Sequence, residues 1–174
     1  GQQIVDYLGD GSSKGISIEY IWEEKPLGTA GALSLVKDFS ADHILLMNSD
    51  LFTDADFEEL YLQLIKKNAD MTVATIPYSV DVPYAIMKSN NNCITSFQEK
   101  PRYTFYANAG IYLFKREIIN IIPKSNAYNA TDLMDSVISN KGKIVQSLLT
   151  GYWIDIGHQA DYNKAKEIVK HINK

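Results

Sequence analysis

A short apolar run with an abrupt acidic end constrains this chain more than any other feature. Ile44-Leu45-Leu46-Met47 is continuous, not alternating, and it stops in Asn48-Ser49-Asp50. A run of that length without alternation predicts a strand buried on both faces of a parallel sheet. A carboxylate directly after such a strand lies at its carboxyl end, where open α/β sheets take ligands. Position alone leaves two readings of Asp50 open, a turn cap or a ligand-binding acid.

The rest of the chain alternates strand and helix signals around that run. Gln2 to Leu8 reads as the end of a helix that begins elsewhere, with Gly1 a tag remnant, and Gly9 to Ser13 as a turn. Ile16 to Trp22 alternates like a strand, and Thr29 can cap a helix running through Lys37. Phe57, Leu60, Tyr61, Leu64, Ile65 and Asn68 have the spacing of one helical face, with Thr53 or Asp54 as cap. Met71 to Ile76 reads as a strand, 84–88 and 93–98 as a hairpin around Asn91, and Gly110 to Phe114 as a further strand. Helices follow over Glu117 to Ile122 and Asp132 to Asn140, the latter capped by Asn129 or Thr131, and Lys143 to Leu149 is strand-like. Tyr152 to Ile156 is a short apolar segment, and a last helix carries Ala165, Ile168, Val169 and Ile172 on one face. Strand–helix alternation with one hairpin predicts a three-layer α/β sandwich with a mostly parallel sheet.

Composition narrows the function classes. The 174 residues suit one domain, and 45% hydrophobic with 22% charged residues excludes a disordered or fibrous chain. The formal net charge of −4 comes with no long basic run, which argues against a nucleic-acid partner. No stretch is long and apolar enough for a membrane span, and no signal peptide is recognisable. The single Cys93, read as semi-buried beside Ile94, excludes an internal disulfide framework and fits a reducing, cytoplasmic setting.

Several residues could carry chemistry. Asp155 stands between Ile154 and Ile156, where a buried acid must be hydrogen-bonded or hold a cation. Asp50 and Asp155 could meet over one site, and Mg²⁺ is often held by one or two carboxylates plus substrate phosphate oxygens. Glu99 and Lys100 end a strand on opposite faces, either as an exposed ion pair or as sugar- and phosphate-binding groups. Gly110 after Asn108-Ala109, and Gly28 and Gly31 around Thr29, allow a ligand close to the backbone. Asp54-Ala55-Asp56 looks like an acidic metal pair but sits where a helix is capped, and the three histidines form no metal-ligand pair.

Taken in order, these fragments resemble the sugar-phosphate nucleotidyltransferases over residues 2–171. The resemblance rests on Gly9-Asp10-Gly11-Ser12, Glu24 with Pro26 to Leu33, Leu45 to Asp50, Tyr84, Phe97 to Pro101, Asn108 to Tyr112 and Tyr152 to Gly157. It implies a Rossmann-like nucleotide-diphospho-sugar transferase fold with a mostly parallel mixed sheet. It also implies transfer of a nucleotidyl group from an NTP to a sugar 1-phosphate, releasing pyrophosphate. By position, Asp50 and Asp155 match the catalytic aspartates that hold Mg²⁺, Glu99 the acid on sugar hydroxyls and Lys100 the lysine near the sugar phosphate. Asn108, Gly110 and Tyr84 match sugar-site positions, and Leu27, Gly28, Thr29 and Gly31 the segment around base and ribose. The Leu-Gly-Thr-Ala-Gly-Ala-Leu form is most similar to guanylyltransferases acting on mannose or amino-sugar 1-phosphates, hence a lean to GTP.

The chain departs from the family pattern at Ser49 and Ala85, where Gly is common, and nothing in it matches the family's glycine-rich loop, G-x-G-T-R-L. It therefore reads as a single partial domain, lacking the family's first βαβ portion and inactive or nearly so alone. An open sheet edge and self-association into a homo-oligomer are expected with it. The other readings are a non-catalytic homologue of the same fold and a metal-dependent glycosyltransferase.

Overall fold

The computed structural model describes residues 1–172. The chain divides into two compact units, one of Gly1–Asp42 with Arg116–Asn140, the other of His43–Lys115 with the segment from Lys141 onward.

The second unit is built on a four-stranded sheet. Its strands are β1 (His43–Met47), β3 (Met71–Asp81), β6 (Arg102–Lys115) and β7 (Ile144–Leu148), in the order β1-β6-β3-β7. β6 is antiparallel to both neighbours and β7 is parallel to β3, so three of the four strands run one way. The sheet is mixed and mostly parallel, as expected. Two small sheets accompany it: β2 (Leu51–Thr53) with β8 (Trp153–Asp155), and the hairpin β4 (Ile86–Asn90) with β5 (Cys93–Gln98). The hairpin turns through Asn91 and Asn92, both at positive φ (47° and 63°), the backbone that a tight two-residue turn between twisted strands demands.

One face of the sheet is closed by the helix Phe57–Lys66, here α3. Leu60 and Leu64 are buried in a core with Ala74, Ala109, Ile111, Leu113 and Leu149. Each of these two leucines contributes roughly 1.5–3 kcal/mol through removal from water. The apolar face of α3 is wider than what covers it, so Phe57, Tyr61 and Ile65 stay exposed. Its cap is neither Thr53 nor Asp54 but Asp56, whose Oδ1 accepts from the N–H groups of Glu58 (2.9 Å) and Glu59 (3.1 Å). Helix Gln159–Ile172, here α5, buries Ala165 and packs beside β8. The side chain of Ile172, expected on that helix's apolar face, lies outside the described residues.

In the first unit, helix α1 spans Gln2–Leu8, α2 is the single turn Gly28–Gly31, and α4 spans Ala130–Ser139. α4 is closed at its start by a reciprocal pair in which the Asn129 side chain takes a backbone N–H and Asp132 Oδ2 accepts from Asn129 N at 2.7 Å. The helix expected over Glu117 to Ile122 is a 3₁₀ helix at Arg116–Ile121.

Four further expectations need correction. Ile16 to Trp22 forms no strand: it alternates, but among the described residues it has no neighbour to complete a ladder. The helix drawn from Thr29 through Lys37 is α2 followed by a 3₁₀ turn at Ala32–Leu35, and the Thr29 hydroxyl accepts instead from Ala130 N at 2.7 Å. β1 is not buried on both faces. It pairs only with β6 among the described residues, and Leu45 is 42% exposed. Cys93 is exposed at the hairpin turn, not semi-buried.

Candidate functional site

β2 and β8 bring the two aspartates together. The two strands run antiparallel with Leu51 opposite Asp155, and Ile156 N donates to Asp50 O at 2.8 Å. The Asp50 and Asp155 side chains then point at one place. A Cβ added to Gly157 would stand 3.0 Å from Asp155 Oδ1 and 3.5 Å from Asp50 Oδ2. Gly157 also donates its N–H to Asp155 Oδ1 at 2.9 Å, which fixes the carboxylate's direction. A side chain at residue 157 would therefore press on Asp155 and only touch Asp50.

Asp155 was expected between two buried isoleucines, as an acid needing internal compensation. It is exposed, as is Asp50. A three-residue strand on a two-stranded sheet leaves one face to solvent, so the apolar neighbours do not imply burial. Neither carboxylate is in an ion pair among the described residues. The donor set suits a hard divalent cation with an incomplete protein shell: two carboxylates, with no third His, Cys, Asp or Glu gathered beside them among the described residues.

β6 presents Asn108 and Gly110 next to the same strands. Asn48 N donates to Gly110 O at 2.9 Å, and Trp153 Nε1 donates to Ala109 O at 2.8 Å. Asn48 lies two residues before Asp50 and Trp153 two residues before Asp155, so each acid is tethered to β6 through its own segment. Gly110 has φ 73°, and a Cβ there would come within 2.8 Å of Asn48 Nδ2. The missing side chain lets the Asn48 amide pack closely against this residue. The Asn108 side chain is held from both ends: Nδ2 donates to Tyr112 Oη at 2.6 Å, and Oδ1 accepts from Gly110 N at 3.0 Å. Asn48, Trp153 and Gly157 were not singled out as site-building residues. Their signals were present in the Asn-Ser-Asp and Trp-Ile-Asp-Ile-Gly words, as neighbours of the acids.

Glu99, Lys100 and Tyr84 are all exposed, and no hydrogen bond or ion pair joins them to the aspartates among the described residues. Glu99 and Lys100 lie in the turn from β5 to β6, not on a regular strand. Lys100 has φ 41°, so strand alternation does not govern the pair. They form no ion pair with each other. A non-glycine residue in left-handed backbone costs about 1–2 kcal/mol. Pro101 anchors the turn by accepting from Val82 N at 3.0 Å.

Leu27 to Gly31 belong to the first unit. Leu27 is buried, and its carbonyl accepts from Tyr128 N at 2.8 Å. Tyr128 O in turn accepts from Ala30 N (3.0 Å) and Gly31 N (2.9 Å). Two N–H groups of α2 are thereby used inside the protein. Gly28 has φ 76°, and a Cβ there would collide with Asn129 Oδ1 and Tyr128 O. Its smallness is explained by packing within this unit.

Elsewhere, Asp54 and Asp56 border a cavity of about 240 Å³ with Glu59 and Ser147. Asp56 is occupied as the α3 cap, and the Asp54 carboxylate lies against Gly151, where a Cβ would collide with it. Asp70 ties three strands: Oδ1 accepts from Lys115 Nζ (2.7 Å) and Oδ2 from Lys143 N (2.8 Å). The hydrogen bond from Lys115 first, and that from Lys143 second, hold its carboxyl below its ordinary value. No helix among the described residues is long and apolar enough to cross a membrane.

Known proteins resemble this chain in sequence and fold. The chain is 27% identical over 173 residues to the D-glycero-alpha-D-manno-heptose 1-phosphate guanylyltransferase of Aneurinibacillus thermoaerophilus, covering 98% of this chain and 74% of that protein. It is 29% identical over 161 residues to the mannose-1-phosphate guanylyltransferase of Mycobacterium tuberculosis, covering 89% of this chain and 45% of that one. The chain spans about half the length of most curated relatives it matches. Crystalline HddC from Yersinia pseudotuberculosis superposes with a TM-score of 0.69 at 24% identity, over 96% of this chain and 73% of that one. A second HddC structure, complexed with GMP-PN, gives a TM-score of 0.69 at 22% identity, over 97% of this chain and 74% of that one. The fold is that of the nucleotide-diphospho-sugar transferases. The model of the family described as "Nucleotidyl transferase" matches residues 2–171, and the chain belongs to that family.

Proposed function

We propose that this chain carries the metal-holding and sugar-facing part of an enzyme that joins an NTP to a sugar 1-phosphate, yielding an NDP-sugar and pyrophosphate. The observation that carries the reading is the convergence of Asp50 and Asp155 on Gly157. Two exposed carboxylates without a cationic partner among the described residues repel each other, and a divalent cation relieves that repulsion. Bound between them, Mg²⁺ would neutralise charge building on the phosphate oxygens during in-line displacement.

The chain's own residues supply position. Asp50 and Asp155 fix where the phosphates lie, each tethered to β6 through Asn48 and Trp153. Asn108 presents an already ordered amide on the sugar side. Glu99 would accept from sugar hydroxyls, and Lys100 would meet the sugar phosphate as a point charge. Tyr84 would border the sugar. The attacking group is a phosphate oxygen already ionised near neutral pH, so no general base is needed. Positioning and fixed charge account for the rate. A guanine nucleotide is the favoured donor, supported by the names of the relatives and the GMP-PN complex of HddC.

These 174 residues contain no G-x-G-T-R-L run, so the chain alone should bind far better than it turns over. The glycosyltransferase reading needs Asp54-Ala55-Asp56 as the metal pair, and Asp56 is committed to α3. Mg²⁺-dependent binding of GDP-mannose separates the readings. It should be lost in Asp155→Asn and kept in Asp54→Asn; the reverse pattern would overturn the assignment.

A further inference from the structure

Asn108 is exposed, yet its side chain is not free to turn. Nδ2 donates to Tyr112 Oη at 2.6 Å, and Oδ1 accepts from Gly110 N at 3.0 Å. Both partners lie on β6, at the second and fourth residues after Asn108. A backbone N–H only donates, so the Gly110 contact decides which end of the amide is oxygen, and the nitrogen must face Tyr112. β3 adds nothing to this hold. Thr75, directly across from Asn108, has a buried hydroxyl with no hydrogen-bond partner among the described residues.

Tyr112 is itself fixed. It is 4% exposed and stands mid-sheet, with Leu46 of β1 and Val73 of β3 as its register partners on either side. A ring packed at interior density keeps one rotamer, so its hydroxyl oxygen is a stationary acceptor. Pinning an exposed asparagine costs side-chain entropy, which the two hydrogen bonds offset in advance of any ligand. Among the described residues, the amide is left with one uncommitted N–H and one uncommitted carbonyl lone pair. A hydroxyl both gives and takes a hydrogen bond, so a neighbouring pair of sugar hydroxyls matches that donor and acceptor.

We propose that Tyr112 is a positioning residue for sugar recognition: its hydroxyl sets the orientation of the Asn108 amide, which then meets a pair of sugar hydroxyls with one donor and one acceptor. The inference rests on the functional reading above, in which Asn108 lies on the sugar side. Tyr112 is buried, so it acts through Asn108 and not on the ligand. Without the Tyr112 hydroxyl, Nδ2 loses its partner and the exposed side chain can leave Gly110 for water. The amide would then have to be ordered at each binding event, which weakens affinity for the sugar and leaves affinity for the nucleotide alone.

Calorimetric titration of GDP-mannose and of GDP, each with Mg²⁺, into the 174-residue chain tests it. Tyr112→Phe keeps the ring and removes only the hydroxyl. It should weaken GDP-mannose binding about threefold to tenfold, the worth of one neutral hydrogen bond, and leave GDP binding unchanged. Asn108→Ala should weaken GDP-mannose binding at least as much. Adding Tyr112→Phe to it should change nothing further, because the tyrosine acts only through the amide. A nuclear Overhauser contact between the Asn108 side-chain amide protons and the Tyr112 ring is expected in the unmodified, unliganded chain, and its absence would overturn the proposal whether or not a variant folds. Unchanged GDP-mannose affinity in folded Tyr112→Phe would overturn it too, as would an equal loss of GDP binding or additive losses in the double variant. An unmodified chain that fails to bind GDP-mannose would overturn the functional reading and this inference with it, a pattern distinct from a failure confined to Tyr112→Phe.

Discussion

Asp50 and Asp155 share one glycine: the position a Cβ would take on Gly157 lies within 3.5 Å of a carboxylate oxygen from each. That arrangement follows from the pairing of β2 with β8, two strands of three residues each from distant parts of the chain.

Gly157→Ala should act on ligand binding more than on folding. The new methyl would press on Asp155 Oδ1 at 3.0 Å and turn the carboxylate away. Calorimetric titration should show metal-dependent GDP-mannose binding weakened several-fold. Unfolding stability should change by no more than about 0.5 kcal/mol, the range for exposed substitutions.

Gly110→Ala should act on folding first. It forces a side chain into left-handed backbone at φ 73° and drives it into the Asn48 amide. A loss of about 2 kcal/mol or more is expected in urea unfolding, the backbone penalty plus overpacking.

Asp56→Ala separates the cap from the metal pair. The variant loses the acceptor for Glu58 N and Glu59 N, which should cost about 1 kcal/mol. Its affinity for metal and GDP-mannose should match that of the unmodified chain in the same titration.

Asp70 should make stability pH-dependent. Its carboxyl is held below its ordinary value by Lys115 and then Lys143, so the folded state binds its proton more weakly than the unfolded state. The stabilisation is present above the unfolded value, about pH 4, and is lost as pH falls through the lower folded value. Asp70→Asn should flatten the acid limb of a plot of melting temperature against pH. At neutral pH it should be less stable by roughly 1–3 kcal/mol, as for a hydrogen bond to a charged group.

The alternation of strands and helices was legible because hydrophobic period is a local property. α3 was found from its spacing, and the Asn-rich turn marked the hairpin. What a segment pairs with is not local. Ile16 to Trp22 alternates without a partner strand among the described residues, whereas Tyr103 to Tyr106 lacks clean alternation and is held in β6 by its pairing with β3. The same limit governs the acids. Asp155 looked buried because Ile154 and Ile156 flank it, but exposure is set by the two-stranded sheet beneath. The meeting of Asp50 with Asp155 could be proposed from motif order, while the roles of Gly157, Asn48 and Trp153 in holding them needed coordinates.

The central claim is that these two acids hold one cation. Titrating Mn²⁺, as a spectroscopic substitute for Mg²⁺, into the chain with GDP-mannose present and following it by electron paramagnetic resonance tests this directly. Asp50→Asn and Asp155→Asn should each weaken Mn²⁺ binding by about tenfold or more, at least 1.4 kcal/mol, while Asp54→Asn leaves it unchanged. Equal Mn²⁺ affinity in all four proteins, or a loss confined to Asp54→Asn, would contradict the account.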